Sequence, residues 1–231
     1  MTGLPQVAPI DEESLAFLRG VDSPTIANAI EHFKVRDRTE GFIGGAVRCL
    51  FPEMPPMVGA ALTVTMTNSP GPLAGRESWW RMYEALEQIP APSVLVVQDV
   101  SGAPTRCAYA GEVMATLAKR LGAVGMVTDG GLRDVHEVRA LGFHYFVRYL
   151  VVSHGNFDIV DIGTPIVLDG QEVRTGDILH GDANGIVIVP REILSGLPEA
   201  VQDVRTRERQ TMDYFLSPDF SFAVAKANAG Y

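Results

Sequence analysis

Apolar and polar residues alternate along the middle of the chain in a pattern that predicts strands and helices in turn. Residues 94–97 form a short apolar run, typical of a strand buried on both faces of a parallel sheet. Residues 112–121 carry one apolar stripe and predict an amphipathic helix. A strand at 124–128, a helix at 134–141 and a strand at 145–152 continue the alternation. The pattern therefore predicts two consecutive βαβ units with right-handed crossovers. The stripe of the first helix consists of Val113, Met114, Leu117, Ala118 and Leu121.

The part of the chain before these units predicts two short helices. Residues 11–20 begin with acidic side chains and end at Gly20, as a helix with favourable ends does. Asp22 is a capping residue and Pro24 takes the first helical position, which predicts a second helix over residues 24–33.

A third helix is expected to carry Trp79 and Trp80 and to end near Pro90, after a loop over residues 71–75. The paired tryptophans are most simply core or subunit-contact residues. Stacking against a ligand is the alternative for them.

After residue 152 the pattern changes to short apolar runs separated by Gly-rich turns, which predicts a β-rich C-terminal half. Residues 191–216 predict a terminal helical region. We therefore expect one α/β domain over residues 1–231, with N-terminal helices at about 11–34 and a C-terminal helical extension at about 191–231.

Composition and charge narrow the classes of partner. The 231 residues are 46% hydrophobic and 20% charged, which is a globular balance. No apolar run approaches the roughly 18 residues that span a bilayer, and the first residues lack a basic, then apolar, secretory signal. The net charge is −9 without a Lys/Arg block, whereas nucleic-acid binding needs clustered cations. We expect a cytoplasmic protein with no membrane and no nucleic-acid partner.

Several kinds of catalytic site are absent from the sequence. The two cysteines form no metal-binding motif, and the five histidines show no HxH or HExxH spacing. The three lysines (Lys34, Lys119 and Lys226) do not follow strand ends, which argues against Schiff-base chemistry. The GxSxG, GxxxxGK[ST] and GxGxxG motifs are missing.

Charged residues instead collect where two predicted strands give way to helices. Glu112 lies at one such junction, and Arg133 with Asp134 lies at the next. Because parallel strands bring these junctions to one edge of the sheet, we expect Glu112 and Asp134 to be neighbours. The helix dipole alone suffices to explain each carboxylate, but a cation in a first helical turn opposes that dipole and so predicts an anionic partner for Arg133. Oxygen ligands without His or Cys favour Mg²⁺ or Mn²⁺ over zinc.

Two further residues lie close to this cluster in the sequence. Cys107 is most simply a small packing residue, because nothing nearby lowers the pKa of its thiol, although it could line a site. His154 lies in the Ser-His-Gly-Asn loop at 153–156, where an approach to a substrate is the alternative to a plain loop role.

Residues 111–134, GEVMATLAKRLGAVGMVTDGGLRD, resemble the signature of the RraA-like superfamily, and the segment TPIVLDGQEVRTGDILHGDANGIVIVP resembles its downstream part. The resemblance extends over about residues 20–210. This superfamily includes 4-hydroxy-4-methyl-2-oxoglutarate/4-carboxy-4-hydroxy-2-oxoadipate aldolases and the RNase E regulators called RraA. It implies an αββα sandwich with parallel βαβ units, assembled as a homotrimer or homohexamer with sites at subunit boundaries.

The resemblance also implies roles for the charged residues at the two junctions. Asp134 would be the direct ligand of Mg²⁺. Glu112, where the family often has Asp, would be a catalytic residue that helps to hold water at the ion. Arg133 would contact the keto-acid oxygen on which negative charge develops.

For the substrate, the resemblance implies a binding site at the start of the first crossover helix. Gly111 and the backbone N–H groups of Val113 and Met114 would receive the substrate carboxylate. Glu208 is the candidate for a catalytic glutamate that the C-terminal helix of an adjacent subunit brings to the site.

The leading hypothesis is a metal-dependent aldolase that cleaves a 4-hydroxy-2-oxo acid to pyruvate and a second carbonyl compound, with oxaloacetate decarboxylation as a side activity. A non-catalytic RraA-type regulator of another enzyme is the second hypothesis, and a sugar-acid lyase or dehydratase on the same scaffold is the third. The long C-terminal helical region favours the enzyme. Loops at 68–78 and 153–158 are expected to decide which substrate is accepted.

Overall fold

The computed structural model describes residues 3–69 and 75–228. The helices in these ranges are α1 (Glu12–Arg19), α2 (Ser23–Ile30), α3 (Glu77–Glu87), α4 (Glu112–Arg120), α5 (Val135–Ala140), α6 (Leu197–Leu216) and α7 (Phe222–Asn228). The strands are β1 (Phe42–Ile43), β2 (Arg48–Cys49), β3 (Met57–Asn68), β4 (Ser93–Asp99), β5 (Ala108–Ala110), β6 (Ala123–Leu132), β7 (His144–Leu150), β8 (Phe157–Ile162), β9 (Ile166–Leu168), β10 (Gln171–Val173), β11 (Ile178–Asp182) and β12 (Gly185–Val189). Most of the predicted 71–75 loop lies outside the described residues.

One mixed sheet of ten strands organises the fold. Its order is β1-β12-β11-β3-β4-β6-β7-β2, with β8 beside β3 and β5 beside β6. The central strands β3, β4, β6 and β7 run parallel. The two predicted βαβ units (β4-α4-β6 and β6-α5-β7) are confirmed, and β3-α3-β4 adds a third. The mixed α/β class is therefore confirmed as well.

Both faces of the sheet are covered, which explains why the run at 94–97 is continuously apolar. Leu95 and Val97 belong to the core formed with the crossover helices α3, α4 and α5. Val94 and Val96 point to the other face and pack with Ile166 and its neighbours in the separate β9–β10 hairpin. The strand thus has no solvated side on which a polar residue could alternate.

A third apolar cluster lies at the β11–β12 end of the sheet, where α1, α2 and α6 pack together. The two predicted N-terminal helices are confirmed, and their caps follow the sequence: Asp11 and Asp22 accept hydrogen bonds from the backbone N–H groups of Ser14 (2.8 Å) and Thr25 (2.9 Å). The second helix is shorter than predicted, because Ile30 is followed by a 3₁₀ turn at Glu31–Phe33.

The short strands predicted after residue 152 are present. Two of them extend the main sheet, since β11 pairs with β3 and β12 pairs with β11. The predicted terminal helical region contains α6, a helix of 20 residues. Within the described ranges, none of the helices has the length and apolar character needed to cross a membrane.

Two local predictions were wrong. The strand predicted to end at residue 128 continues to Leu132, because β5 and β7 pair with its last residues. The DGGL segment is therefore strand rather than loop. On α4, Val113 is 74% exposed and lies outside the buried stripe, which is formed by Met114, Ala115 and Ala118.

Candidate functional site

The two crossover turns meet at the carboxyl-terminal edge of the parallel strands. The backbone N–H of Glu112 donates a hydrogen bond to Asp134 Oδ2 over 2.9 Å, although 22 positions separate the two residues in the sequence. The predicted proximity of the junctions is confirmed. A single carboxylate oxygen links the N-terminal end of α4 to the turn before α5.

Asp134 adopts an unusual backbone conformation for this purpose. It occupies the N-cap position of α5 with φ 59° and ψ 46°, in the left-handed region, and its side chain makes no capping hydrogen bond to its own helix. A non-glycine residue in that region is strained by about 1 kcal/mol or more, although aspartate tolerates it better than most residues. The strain and the missing cap both reduce local stability. The Asp134 side chain therefore stabilises the junction with α4 and not the start of its own helix α5.

Gly111 leaves the space that this carboxylate needs. A Cβ at position 111 would lie 2.2 Å from Asp134 Oδ2 and 3.0 Å from Arg133 Nε. The backbone of Gly111 is extended (φ −140°), so glycine is required here by the close approach of the two side chains and not by its φ angle.

Arg133 is fixed at its backbone and partly free at its guanidinium. Its N–H donates to Ala110 O over 3.0 Å, and its Nη1 donates to Val152 O over 3.3 Å. Its Nε lies 3.8 Å from Asp134 Oδ2, and its side chain is 35% exposed. The remaining N–H donors of the guanidinium can bind a ligand oxygen. The prediction that Arg133 lies in the first helical turn was wrong, because the strand continues to Leu132 and α5 begins only at Val135.

The start of α4 presents further donors at the same edge. The first hydrogen bond of this helix runs from Ala115 N to Gly111 O. Within the described part of the chain, the backbone N–H groups of Val113 and Met114 have no acceptor, and the Glu112 carboxylate has no hydrogen-bond or ion-pair partner. Free N–H groups in a first helical turn are a favourable place for an anion.

A cavity of about 370 Å³ lies beside these groups, and we call it the site cavity. It is lined by Gly75, Arg76, Ser78, Trp79, Val113, Met114, Arg133, His154, Gly155, Asn156, Phe157 and Asp158. Its walls therefore combine Arg133 and the first turn of α4 with residues of the two loops expected to govern selectivity. Glu112 and Asp134 lie at the junction and do not line the cavity. Trp79 is in this wall and also packs against the main core, whereas Trp80 is half exposed.

Cys107 and His154 are connected to each other. The Cys107 thiol donates to His154 O over 2.9 Å, and Cys107 is fully buried. Burial raises the pKa of the Cys107 thiol to about 12, so it stays protonated and unreactive at neutral pH. Cys107 thus anchors the loop at the edge of the cavity, and His154 lines the cavity from that loop.

A partly buried polar network behind the junction, centred on the buried Tyr109, was missed by the sequence analysis. The Tyr109 hydroxyl donates to Asp99 Oδ2, and the Asp99 N–H donates to Asp129 Oδ1 over 2.7 Å. Asn68 Nδ2 donates to the Tyr109 hydroxyl over 3.2 Å. Burial raises the pKa of Asp129 to about 6. Because Tyr109 lies in β5 directly before Gly111, this network fixes the strand that leads into the junction. The available signal was that Asp99 and Asp129 both follow apolar runs of parallel strands.

Glu208 lies apart from these groups within the chain. It is on α6, where its Oε1 accepts a hydrogen bond from Asn28 Nδ2 of α2 over 3.2 Å. It does not line the site cavity. Its predicted role involves an adjacent subunit and stays a prediction.

The donor set of the junction suits one kind of metal ion. Among the described residues, no three His, Cys, Asp or Glu side chains are grouped so that they could hold a metal together. Asp134 Oδ1 accepts no hydrogen bond from the described residues and belongs to a side chain that is 37% exposed. Mg²⁺ keeps several waters and takes one or two carboxylates plus ligand oxygens, so one free carboxylate oxygen fits it. A closed protein site of the zinc type does not fit.

Comparisons with known proteins show what the chain is similar to. A protein of Halalkalibacterium halodurans, whose assigned name of 4-hydroxy-4-methyl-2-oxoglutarate aldolase is itself provisional, is 34% identical over 137 residues. This alignment covers 57% of the chain and 62% of the relative, so the chain spans less than two thirds of that protein's length.

Two solved structures share the fold. An uncharacterized protein from Pseudomonas syringae pv. tomato superposes with a TM-score of 0.72 at 21% identity, covering 98% of this chain and 99% of the other. Streptomyces coelicolor RraAS2, described as an unusual member of the RNase ES inhibitor RraA protein family, superposes with a TM-score of 0.69 at 21% identity, covering 89% and 98%. At these identities the likeness shows the fold alone.

A comparison of the sequence with models of protein families identifies the family. The RraA-like model, described as Aldolase/RraA, matches residues 23–188, which include both junctions and most of the sheet. The resemblance of residues 111–134 is thereby confirmed, and the chain belongs to the RraA-like family.

Proposed function

We propose that this protein is a divalent-metal-dependent aldolase that cleaves a 4-hydroxy-2-oxo acid to pyruvate and a second carbonyl compound. One observation carries the proposal: the Asp134 carboxylate, the Arg133 guanidinium and the first turn of α4 meet at one junction, and the last two line the site cavity. The provisional aldolase name of a relative at 34% identity supports the same reaction type.

Mg²⁺ or Mn²⁺ would be held by Asp134, with Glu112 beside it. When bound, the ion supplies Lewis-acid polarisation of the substrate's C2 carbonyl. The unshared oxygen of Asp134 and the unpaired carboxylate of Glu112 are the observations in favour of this assignment.

The residues of the chain would bind the substrate and stabilise its charge. The N–H groups of Val113 and Met114 would donate hydrogen bonds to the substrate's C1 carboxylate at the start of α4. Cleavage removes the proton of the C4 hydroxyl, which becomes the carbonyl of the second product, breaks the C3–C4 bond and moves its electrons toward the C2 oxygen. A proton from water then adds to C3 and completes pyruvate. The Arg133 guanidinium donates hydrogen bonds to that oxygen, where negative charge appears only during the reaction. Glu112 is the group of this chain that we assign to accept the hydroxyl proton, through water.

Oxaloacetate decarboxylation would use the same residues. Loss of CO₂ also moves a bonding pair toward the C2 oxygen, so Arg133 would stabilise the same charge. A side activity on oxaloacetate is therefore part of the proposal.

Assembly as a homotrimer or homohexamer is a further part of it. Several apolar side chains of α6 and α7 are exposed in the isolated chain, including Phe215, Leu216 and Phe222. Contact with an adjacent subunit would cover them and could bring Glu208 of that subunit toward the site cavity. Light scattering on the purified protein measures the oligomeric state directly.

The test uses purified protein with Mg²⁺ and either 4-hydroxy-4-methyl-2-oxoglutarate or oxaloacetate. Pyruvate release is followed with a coupled lactate dehydrogenase, and we expect EDTA to abolish it and added Mg²⁺ or Mn²⁺ to restore it. A sugar-acid panel, read out both for pyruvate and for longer 2-oxo acids, covers the alternative of a sugar-acid lyase or dehydratase. If no pyruvate appears from any 2-oxo acid, the enzyme assignment is wrong and the regulator hypothesis takes its place.

A further inference from the structure

The site cavity has a second cationic group, Arg76, which is distant in sequence from Arg133. Arg76 precedes α3 and lines the cavity together with Ser78 and Trp79, which belong to the first turn of that helix. We propose that Arg76 is a specificity-determining residue that binds a second carboxylate on the substrate. This inference rests on the proposed function, whose test substrate 4-hydroxy-4-methyl-2-oxoglutarate carries a carboxylate at both ends, and it adds the residue that would select for the distal one.

The first argument is charge without a partner. Arg76 is exposed, and within residues 3–69 and 75–228 its guanidinium makes no ion pair or hydrogen bond. Asp158 is the acid that lines the cavity, but its Oδ1 already accepts hydrogen bonds from Ser78 Oγ and from the Ile159 N–H, the latter over 2.8 Å. Arg76 is thus available for the carboxylate of a ligand, which a guanidinium can bind with two parallel hydrogen bonds.

The second argument is a buried donor in the same wall. The indole N–H of Trp79 is buried and has no hydrogen-bond acceptor among the described residues. A buried donor without an acceptor is costly, so a group that supplies one is favoured. A carboxylate bound beside Arg76 at the start of α3 would accept this hydrogen bond once the Trp79 ring shifts to expose the nitrogen, and Trp79→Phe tests this contribution.

The third argument is the combination of groups that line the cavity. Arg133 and the first turn of α4 supply one set of polar groups, and Arg76 with the first turn of α3 supplies another. Trp79, Met114 and Phe157 supply apolar surface in the same lining. A short carbon chain with an anionic group at each end matches this combination of surfaces, and the volume of about 370 Å³ is in the range of small-molecule sites.

The test compares two substrates that differ only at the far end. We would measure kcat/KM for 4-hydroxy-4-methyl-2-oxoglutarate and for 4-hydroxy-4-methyl-2-oxopentanoate, in which a methyl group replaces the distal carboxylate. Arg76→Ala should lower kcat/KM for the first substrate roughly 10- to 100-fold, mainly through KM, and leave the second unchanged. The control is Arg81→Ala, an exposed arginine of the same helix that does not line the cavity. Equal losses for both substrates, or no loss, would overturn the proposal.

A binding measurement separates this proposal from the proposed function. Calorimetric titration with Mg²⁺ present compares 2-oxoglutarate with 2-oxopentanoate, which has a methyl group in place of the distal carboxylate. We expect tighter binding of 2-oxoglutarate by the wild type, a smaller difference in Trp79→Phe and none in Arg76→Ala. If this pattern holds while no substrate is cleaved, the aldolase proposal fails and the carboxylate site stands. If the wild type binds both acids equally or neither, the carboxylate site is wrong.

Discussion

Replacing Gly111 by alanine tests whether the spacing of the two crossover turns controls activity. The new methyl group would lie 2.2 Å from Asp134 Oδ2, whereas ordinary contacts of this kind begin near 3.4 Å. The Asp134 carboxylate must therefore retreat by about 1 Å, which breaks its hydrogen bond to the Glu112 N–H. The extended backbone at position 111 accommodates alanine, so the change acts on the side chains of the junction.

Two magnitudes follow from this displacement. A catalytic group that is misplaced by about 1 Å costs on the order of 10²-fold in rate. Loss of a hydrogen bond to a charged acceptor costs about 1.5–3 kcal/mol, offset by about 0.4–1 kcal/mol because alanine restricts the unfolded chain. The net destabilisation of about 1–2 kcal/mol corresponds to a fall in Tm of about 2–8 °C for a chain of this size.

The assay measures Mg²⁺-dependent pyruvate release and thermal unfolding for Gly111→Ala beside Gly20→Ala. A Cβ at Gly20 meets its nearest atom, Phe17 O, at an ordinary 3.4 Å, so this control leaves the junction intact. We expect turnover to fall about 10²-fold in the first variant and to stay near wild type in the second. Full activity in Gly111→Ala, with an unchanged Mg²⁺ requirement, would refute the reasoning from side-chain spacing.

Three other predictions concern charge. Arg133→Ala and Asp134→Asn should each lower turnover roughly 10²-fold while the protein stays folded, since asparagine also tolerates the left-handed backbone. The control is Arg139→Ala, an exposed residue of α5 that is paired with Glu53. Near-wild-type rates in both site variants would contradict the assignment. Burial raises the pKa of Asp129 from 3.8 to about 6, so the folded state loses stability as the pH rises between these two values and keeps that loss at higher pH. Asp129→Asn should therefore stabilise the protein by about 1–2 kcal/mol at pH 7.5. This value is discounted from about 3 kcal/mol because Asp129 is only partly buried. The gain in the free energy of unfolding should shrink toward pH 4, and urea unfolding at both pH values measures it. His180 Nε2 lies 3.0 Å from Leu18 O and 2.9 Å from Val21 O. Burial lowers the pKa of His180, so the stability that the neutral imidazole contributes is lost as the pH falls below the unfolded-state pKa of 6.5. The free energy of unfolding should fall less between pH 7 and 5 in His180→Gln than in the wild type, and equal slopes would show that His180 does not govern this loss.

The sequence was sufficient to predict the parallel core because the patterns that indicate these strands and helices are local. The run at 94–97 is apolar throughout since β4 is buried on both faces. The apolar residues of helix α4 repeat with the helical period within its nine residues. The closeness of Glu112 and Asp134 then follows from the parallel arrangement alone. No side-chain detail is needed for that step.

Other features depend on contacts that a local pattern does not contain. β6 continues through Gly130 and Gly131 because β5 and β7 flank it, although glycine pairs favour turns in a sequence. The position of Arg133 outside α5 is a consequence of that extension. The link from Tyr109 to Asp99 joins residues from two elements, and nothing at Arg76 in the sequence shows that it shares a cavity with Arg133.

The shared oxygen of Asp134 has a consequence for engineering this protein. Since one atom ties the two turns together, an insertion or deletion in either turn would disturb both, and the segment from Cys107 to Asp134 has to be kept or transplanted as one block. The residues at the start of α3 are outside that block. Variation introduced there can change which molecules are accepted while the machinery for bond cleavage keeps its shape.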